Sequence, residues 1–117
     1  MVENNVLSEK TLAFAIRIVN GYKFLVDNKK EFVMSKQLLR CGTSIGANTN
    51  EAIYAQSKAV FVSKLSISLK EASETSYWLI LLSKTEYIEK DAYDSMRNDL
   101  DEIIRMLIAS IKTTRKE

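Results

Sequence analysis

Histidine is missing from all 117 residues, and with it go the commonest general base and the commonest metal ligand. Cys41, the single cysteine, lies in an apolar series with Leu38 and Ile45 and has no histidine to take its proton. It reads as a packed thiol rather than a nucleophile. Gly42-Thr43-Ser44-Ile45-Gly46 has the small residues of a phosphate-cradling loop. It lacks the lysine and the spacing of a P-loop, and helical periodicity runs straight through it. Glu71 and Glu74 stand three apart, as metal-binding carboxylates do in helical bundles, yet they have no partners at matching depth. Asp91, Asp94, Asp99, Asp101 and Glu102 read as a solvated face. No dinucleotide fingerprint or zinc spacing is present. The expectation is therefore a protein that is not an enzyme, with no catalytic residue, metal or cofactor.

Two groups of polar residues remain. Arg40, Ser44, Asn48 and Glu51 step by four, four and three, so they share one face of a helix. Asn48 also falls in the core-facing series Leu38, Cys41, Ile45, Asn48, Ala52, Ala55. A buried asparagine must be hydrogen-bonded, and two readings follow: an internal network that fixes helix register, or a ligand site. The second group is basic. Arg17, Lys23, Lys29, Lys30, Lys36 and Arg40 concentrate on a first helix, the connection after it and the start of a second. They are the candidate nucleic-acid contacts, with an ordinary solvated surface as the alternative. Lys58, Lys64 and Lys70 are spaced six apart, so each is turned by about 240° from the last, and they form no single stripe.

Four helical segments position these residues. The first spans about Ser8 to Asp27, with Ser8 as N-cap and two overlapping apolar series. One contains Leu12, Ala15, Val19, Tyr22 and Val26; the other contains Leu7, Thr11, Phe14, Ile18, Gly21 and Leu25. Asn28 to Glu31 break the pattern. The second segment spans about Ser35 to Ala55. Its Gly42 and Gly46, four apart, suit close approach of a neighbouring helix or a slight bend. The third begins after a cap at Ser57 and continues to about Lys84. Val62, Leu65, Leu69, Ala72, Ser76 and Leu79 give it a three-four ladder. The fourth spans about Glu89 to Lys112 with the ladder Tyr93, Met96, Leu100, Ile103, Leu107. At about 100° per residue, Val60, Ile67 and Trp78 align opposite the third helix's ladder, flanked by Leu81 and Leu82. An apolar line on an outer face predicts an oligomer interface, and the broad face of the first helix is the candidate partner surface.

Composition agrees with an all-α, single-domain chain over residues 1–117. Hydrophobic residues make up 46% and charged residues 27%, as in soluble globular proteins. Proline is absent and glycine occurs three times, too few turn residues for a sheet of several strands. The N-terminus MVENNVLSEK lacks the pattern of a signal peptide, and no run approaches a membrane span. One cysteine forms no internal disulfide, so a cytoplasmic location is expected. Net charge is only +2. It divides unevenly: residues 1–84 carry 11 Lys/Arg against 7 Asp/Glu, and residues 85–117 carry 6 against 8. Such asymmetry permits a nucleic-acid partner without requiring one.

Ser44 to Ala52 reads S-I-G-A-N-x-x-E-A, and Ser57 to Ala72 reads S-K-x-x-F-x-x-K-L-S-I-S-L-K-E-A. These motifs resemble the bacterial four-helix-bundle proteins called 23S rRNA-intervening sequence proteins, named for where some members are encoded. The resemblance covers nearly the whole chain. Thr49 and Asn50 depart from it, since relatives often carry isoleucine and then glutamate or alanine there. The resemblance implies an up-down-up-down four-helix bundle assembled as a ring-like homo-oligomer, commonly a pentamer. A related branch, the accessory proteins of diversity-generating retroelements, resembles a pentameric barrel that binds a reverse transcriptase and nucleic acid; that branch is strongly basic, and this chain, at +2, departs from it. The expected function is thus a non-enzymatic oligomeric scaffold associated with RNA, DNA or a nucleic-acid enzyme. The alternative is an assembly module whose partners are proteins only.

Overall fold

The computed structural model describes residues 4–117. Among them are four α-helices and no strand: α1 (Asn4–Asp27), α2 (Met34–Ile53), α3 (Lys58–Lys84) and α4 (Lys90–Lys116). The body measures 47 × 21 × 19 Å. Its long dimension is set by helices of 27 residues, each about 40 Å at 1.5 Å per residue. Each helix packs against two others: α2 lies between α1 and α3, α4 touches α3 and α1, and the α1–α4 contact is the least extensive.

α1 begins earlier than Ser8, which lies inside the helix rather than capping it. Apolar content explains the extension, because Leu7 is buried in the core with Phe14, Ile18 and Leu25. Ser57 does cap α3: its extended backbone lets the side chain accept the Val60 N–H at 3.1 Å. α3 ends in a Schellman turn, with Tyr87 N–H donating to Leu82 O at 2.9 Å and Glu86 N–H to Ser83 O at 3.1 Å. Glu86 takes the left-handed conformation there, φ 68°. Lys30 does the same in the α1–α2 connection, φ 55°.

The third helix is rotated relative to its predicted ladder. Leu65, Ala72 and Leu79 are buried as expected, but the other buried line is Phe61, Ser68, Thr75 and Leu82. Val62 and Leu69 are only partly buried, as is Ser76. The inward direction thus lies about 50° from the predicted one. α3 packs against α2 as well as α4, and a ladder chosen for one seam does not point at both. Leu82, expected beside the outer line, is fully buried. The ladder of α4 holds at Leu100, Ile103 and Leu107 and continues to Ile111, while Tyr93 and Met96 are partly buried.

Gly42 and Gly46 lie where α2 meets α1. A Cβ at Gly42 would sit 2.7–2.9 Å from three side-chain atoms of Ile18, and one at Gly46 would sit 3.3 Å from Thr11 O. Close approach, not a turn, is their use. A small polar link joins α2 to α3 inside the core. Thr49 Oγ1 donates to Ile45 O at 2.8 Å, Ser68 Oγ donates to the same carbonyl at 3.0 Å, and the two hydroxyls stand 3.1 Å apart. Both hydroxyls are satisfied, so the buried polar pair carries no desolvation penalty left unanswered.

Candidate functional site

The α3 residues Val60, Lys64, Ile67, Glu71, Glu74 and Trp78 step by four, three, four, three and four, which places them in one strip. α2 presents Arg40, Ser44, Asn48 and Glu51 beside it. Charged members of the strip are tied to α2. Lys64 Nζ lies 2.8 Å from Glu51 Oε1. Arg40 bridges two carboxylates, reaching Glu71 at 3.3 Å and also contacting Glu74. Glu74 in turn accepts the Trp78 indole N–H at 3.1 Å. That indole bond, followed by the one from Arg40, holds the Glu74 carboxyl below the usual range. Hydrogen bonding and charge from Glu74 raise the Arg40 pKa further. The polar cluster and the predicted interface residues are therefore one composite surface along the α2–α3 seam.

Within it, Val60 and Ile67 are exposed, as expected. Trp78, five full turns from Val60 and so on the same line, is half-buried rather than exposed: its large ring packs against the core and its indole N–H is held by Glu74, contacts that the smaller Val60 does not make. Its ring meets Tyr77 edge-on, with centroids 5.3 Å apart. Asn48 is likewise not in the core. It is partly buried and donates to Ser44 O at 2.9 Å, while the neighbouring Thr49 takes the buried position. The buried hydrogen-bonded link between α2 and α3 is made by Thr49 and Ser68, neither of them in the predicted cluster. Ser44 also bonds within its own helix, donating to Arg40 O at 2.6 Å.

The basic residues divide into two sets. Arg17 is engaged by Asp99 at 2.6 Å and by Ser95 Oγ at 3.0 Å, and Arg40 is held as described. Lys23, Lys29, Lys30 and Lys36 are exposed and form no ion pair among the described residues. Glu31, in the midst of them, is buried. Its carboxylate accepts the N–H groups of Val33, Met34 and Ser35 at 3.2, 3.0 and 2.7 Å, satisfying the start of α2. Burial works to raise its pKa, but these bonds prevail and hold it below the ordinary value. The connection consequently presents lysines outward, together with exposed Phe24, Phe32 and Val33, and Lys29 Nζ lies 5.9 Å over the Phe24 ring.

Cys41 is buried, and its thiol lies 3.7 Å from Leu38 O. Burial pushes the thiol pKa up, away from the reactive thiolate. Among the described residues no group of three or more His, Cys, Asp or Glu is placed to hold a metal ion, and no helix is long and apolar enough to cross a membrane.

Residues 3–109 match the model of the 23S rRNA-intervening sequence protein family. The chain belongs to that family. A solved structure from the S23 ribosomal protein family of Bacteroides thetaiotaomicron VPI-5482, described as a protein of unknown function, is similar throughout. It shares 61% identity with a TM-score of 0.92, covering 93% of this chain and 97% of that one. No curated protein matches. In this member of the intervening sequence protein family, Ser44–Ala52 and Ser57–Ala72 supply part of the composite α2–α3 surface and, through Ile45, Ala52, Phe61, Leu65 and Ala72, part of the core; Arg40, Glu74 and Trp78 lie outside them.

Proposed function

We propose that the protein is a non-enzymatic scaffold of the cytoplasm: an up-down-up-down four-helix bundle that assembles as a ring-like homo-oligomer. The observation that carries this reading is the α3 strip. Its charged residues Lys64, Glu71 and Glu74 are all paired with side chains of α2, while Val60 and Ile67 remain 44% and 38% exposed beside Trp78. Covering each of these apolar side chains contributes about 1 kcal/mol at partial burial. A ring closes through two different surfaces, and α1 offers the second one, with Leu12 and Ile16 exposed at 62% and 55%. The up-down order is supported by contacts that run in opposite sequence directions. Ile18 faces Gly42 and Thr11 faces Gly46; Arg17 pairs with Asp99 and Lys10 with Glu102. A ring, and five as its commonest size, come from the family resemblance. Sedimentation equilibrium should give a mass several times 13.3 kDa, and Trp78→Glu should lower it with helical circular dichroism retained. A native chain that is monomeric at micromolar concentration defeats the assembly. An intact oligomer in Trp78→Glu defeats the assigned face.

The four lysines without carboxylate partners favour a second element of the reading: the scaffold contacts RNA, DNA or a nucleic-acid enzyme through the α1–α2 connection. Inward-turned Glu31 leaves that end cationic. Phosphate contacts release counterions, so binding should weaken steeply with added salt. Replacing Lys29, Lys30 and Lys36 together by Gln should flatten the salt slope by about 3 and weaken binding at low salt. Fluorescence anisotropy with structured RNA and with single- and double-stranded DNA measures both. If none binds at low salt, an assembly module with protein partners alone takes its place.

A further inference from the structure

The weakest helix contact, α1 with α4, leaves a cavity of about 500 Å³ on the side of the molecule away from the α2–α3 surface. Small-molecule sites run to about 300–1,000 Å³, so this one is of sufficient size. Phe24, Leu38, Leu79, Ile88 and Met96 give it apolar walls. Gly21 faces it from α1, and here the comparison with the other two glycines is decisive. A Cβ at Gly42 or Gly46 would press on α1, whereas one at Gly21 would meet no heavy atom within 4 Å. Glycine weakens a helix interior relative to alanine. At Gly42 and Gly46 close packing compensates; at Gly21 no packing does, and the missing side chain leaves the cavity open.

The rim is polar and supplied by Arg17, Asn20 and Glu89. Arg17 is already engaged by Asp99 and Ser95. Glu89 is exposed and forms no ion pair among the described residues. Among the charged residues that line the cavity, the one without an ion-pair partner is therefore negative; Lys29, whose ammonium lies 5.9 Å over the wall residue Phe24, stands outside the lining. We propose that this cavity binds a small aromatic or alkyl amine, its hydrocarbon body against the apolar walls and its ammonium beside Glu89. The site lies apart from the α2–α3 strip, while its α1 wall continues the row of Leu12 and Ile16 through Asn20.

The native chain would be titrated with 1-naphthylmethylamine, followed by calorimetry and ligand-observed NMR, with 1-naphthoic acid as comparator. One saturable site per chain is expected, with the acid bound about fivefold more weakly, the scale of a solvent-accessible ion pair. Glu89→Gln should erase that preference. Gly21→Leu and Ala92→Leu fill the cavity from α1 and from α4, and each should weaken amine binding by about tenfold or more through loss of the hydrocarbon site. Circular dichroism identifies a filled variant that fails to fold, and the other variant then decides. Absence of saturable amine binding overturns the proposal, as does acid binding equal to that of the amine, or undiminished binding in folded filled variants.

Discussion

Gly42→Leu should cost about 3 kcal/mol or more of folding stability, the upper range for overpacking a filled core. Even its first added carbon would lie 2.7–2.9 Å from Ile18 atoms. Ile18 is fully buried, and although it borders the α1–α4 cavity, two of the crowded atoms, Cγ1 and Cγ2, sit directly on its branched Cβ and do not swing clear without a change of rotamer. The remaining leucine carbons would force α1 and α2 apart, breaking packing along both. Leucine's better helix propensity returns only about 1 kcal/mol, so overpacking wins. Gly21→Ala is the internal control: with nothing near its Cβ, it should raise stability by up to about 1 kcal/mol. Urea titration of both variants reads the contrast. A Gly42→Leu protein as stable as the native chain would show that α1 and α2 are not held at glycine contact.

Glu31→Ala should cost about 2 kcal/mol, because it removes a carboxylate that answers three backbone N–H groups at the start of α2, of which only that of Ser35 is fully buried. Glu31→Gln should cost less, about 1 kcal/mol, since an amide oxygen still accepts but carries no charge. The pH dependence has a definite sign. The folded-state pKa lies below the ordinary glutamate value of 4.5. Its stabilisation is therefore fully present above that value and is lost as pH falls through the depressed folded value. Stability curves of native and Glu31→Ala proteins should run apart at neutral pH and converge in acid. Parallel curves from pH 6 down to the acid transition would remove the charge from the account.

The four helices were legible because their apolar periodicity is strong and their connections are short and polar. Ser57 as a cap and the close approach at Gly42 and Gly46 were legible from residue type alone. The facing of α3 was not. Its buried line Phe61, Ser68, Thr75, Leu82 keeps seven-residue spacing, but two of its four members are hydroxyl residues. The rival line Val62, Leu69, Ser76 is more apolar and therefore more conspicuous. Hydrogen bonding overrides hydrophobicity here: Ser68 and Thr75 are accommodated by bonds to Ile45 O and Glu71 O. The same effect exchanged Asn48 for Thr49 in α2. Arg40 and Glu51 were legible as a face, but their partners Glu71, Glu74 and Lys64 were not. Those pairings cross between helices and leave no local spacing to read. In the sequence Glu31 belongs to a polar break, and only the geometry of the α2 N-terminus shows where its charge is directed.

The two left-handed turn residues are a lysine and a glutamate, Lys30 and Glu86, while all three glycines lie within helices. This inverts the usual allotment, in which glycine relieves strain at turns and stays out of helix interiors. Geometric tolerance in this chain is inverted with it. At the two turns the backbone accepts a side chain at some conformational cost, so neither turn depends on one residue type. The narrow tolerances lie mid-helix, where α1 and α2 touch nearly backbone to backbone. A drifting sequence can therefore rewrite the corners of this protein more freely than the middle of its second helix. The spacing of that helix pair, rather than the course of its loops, is the dimension that descendants of the fold must keep.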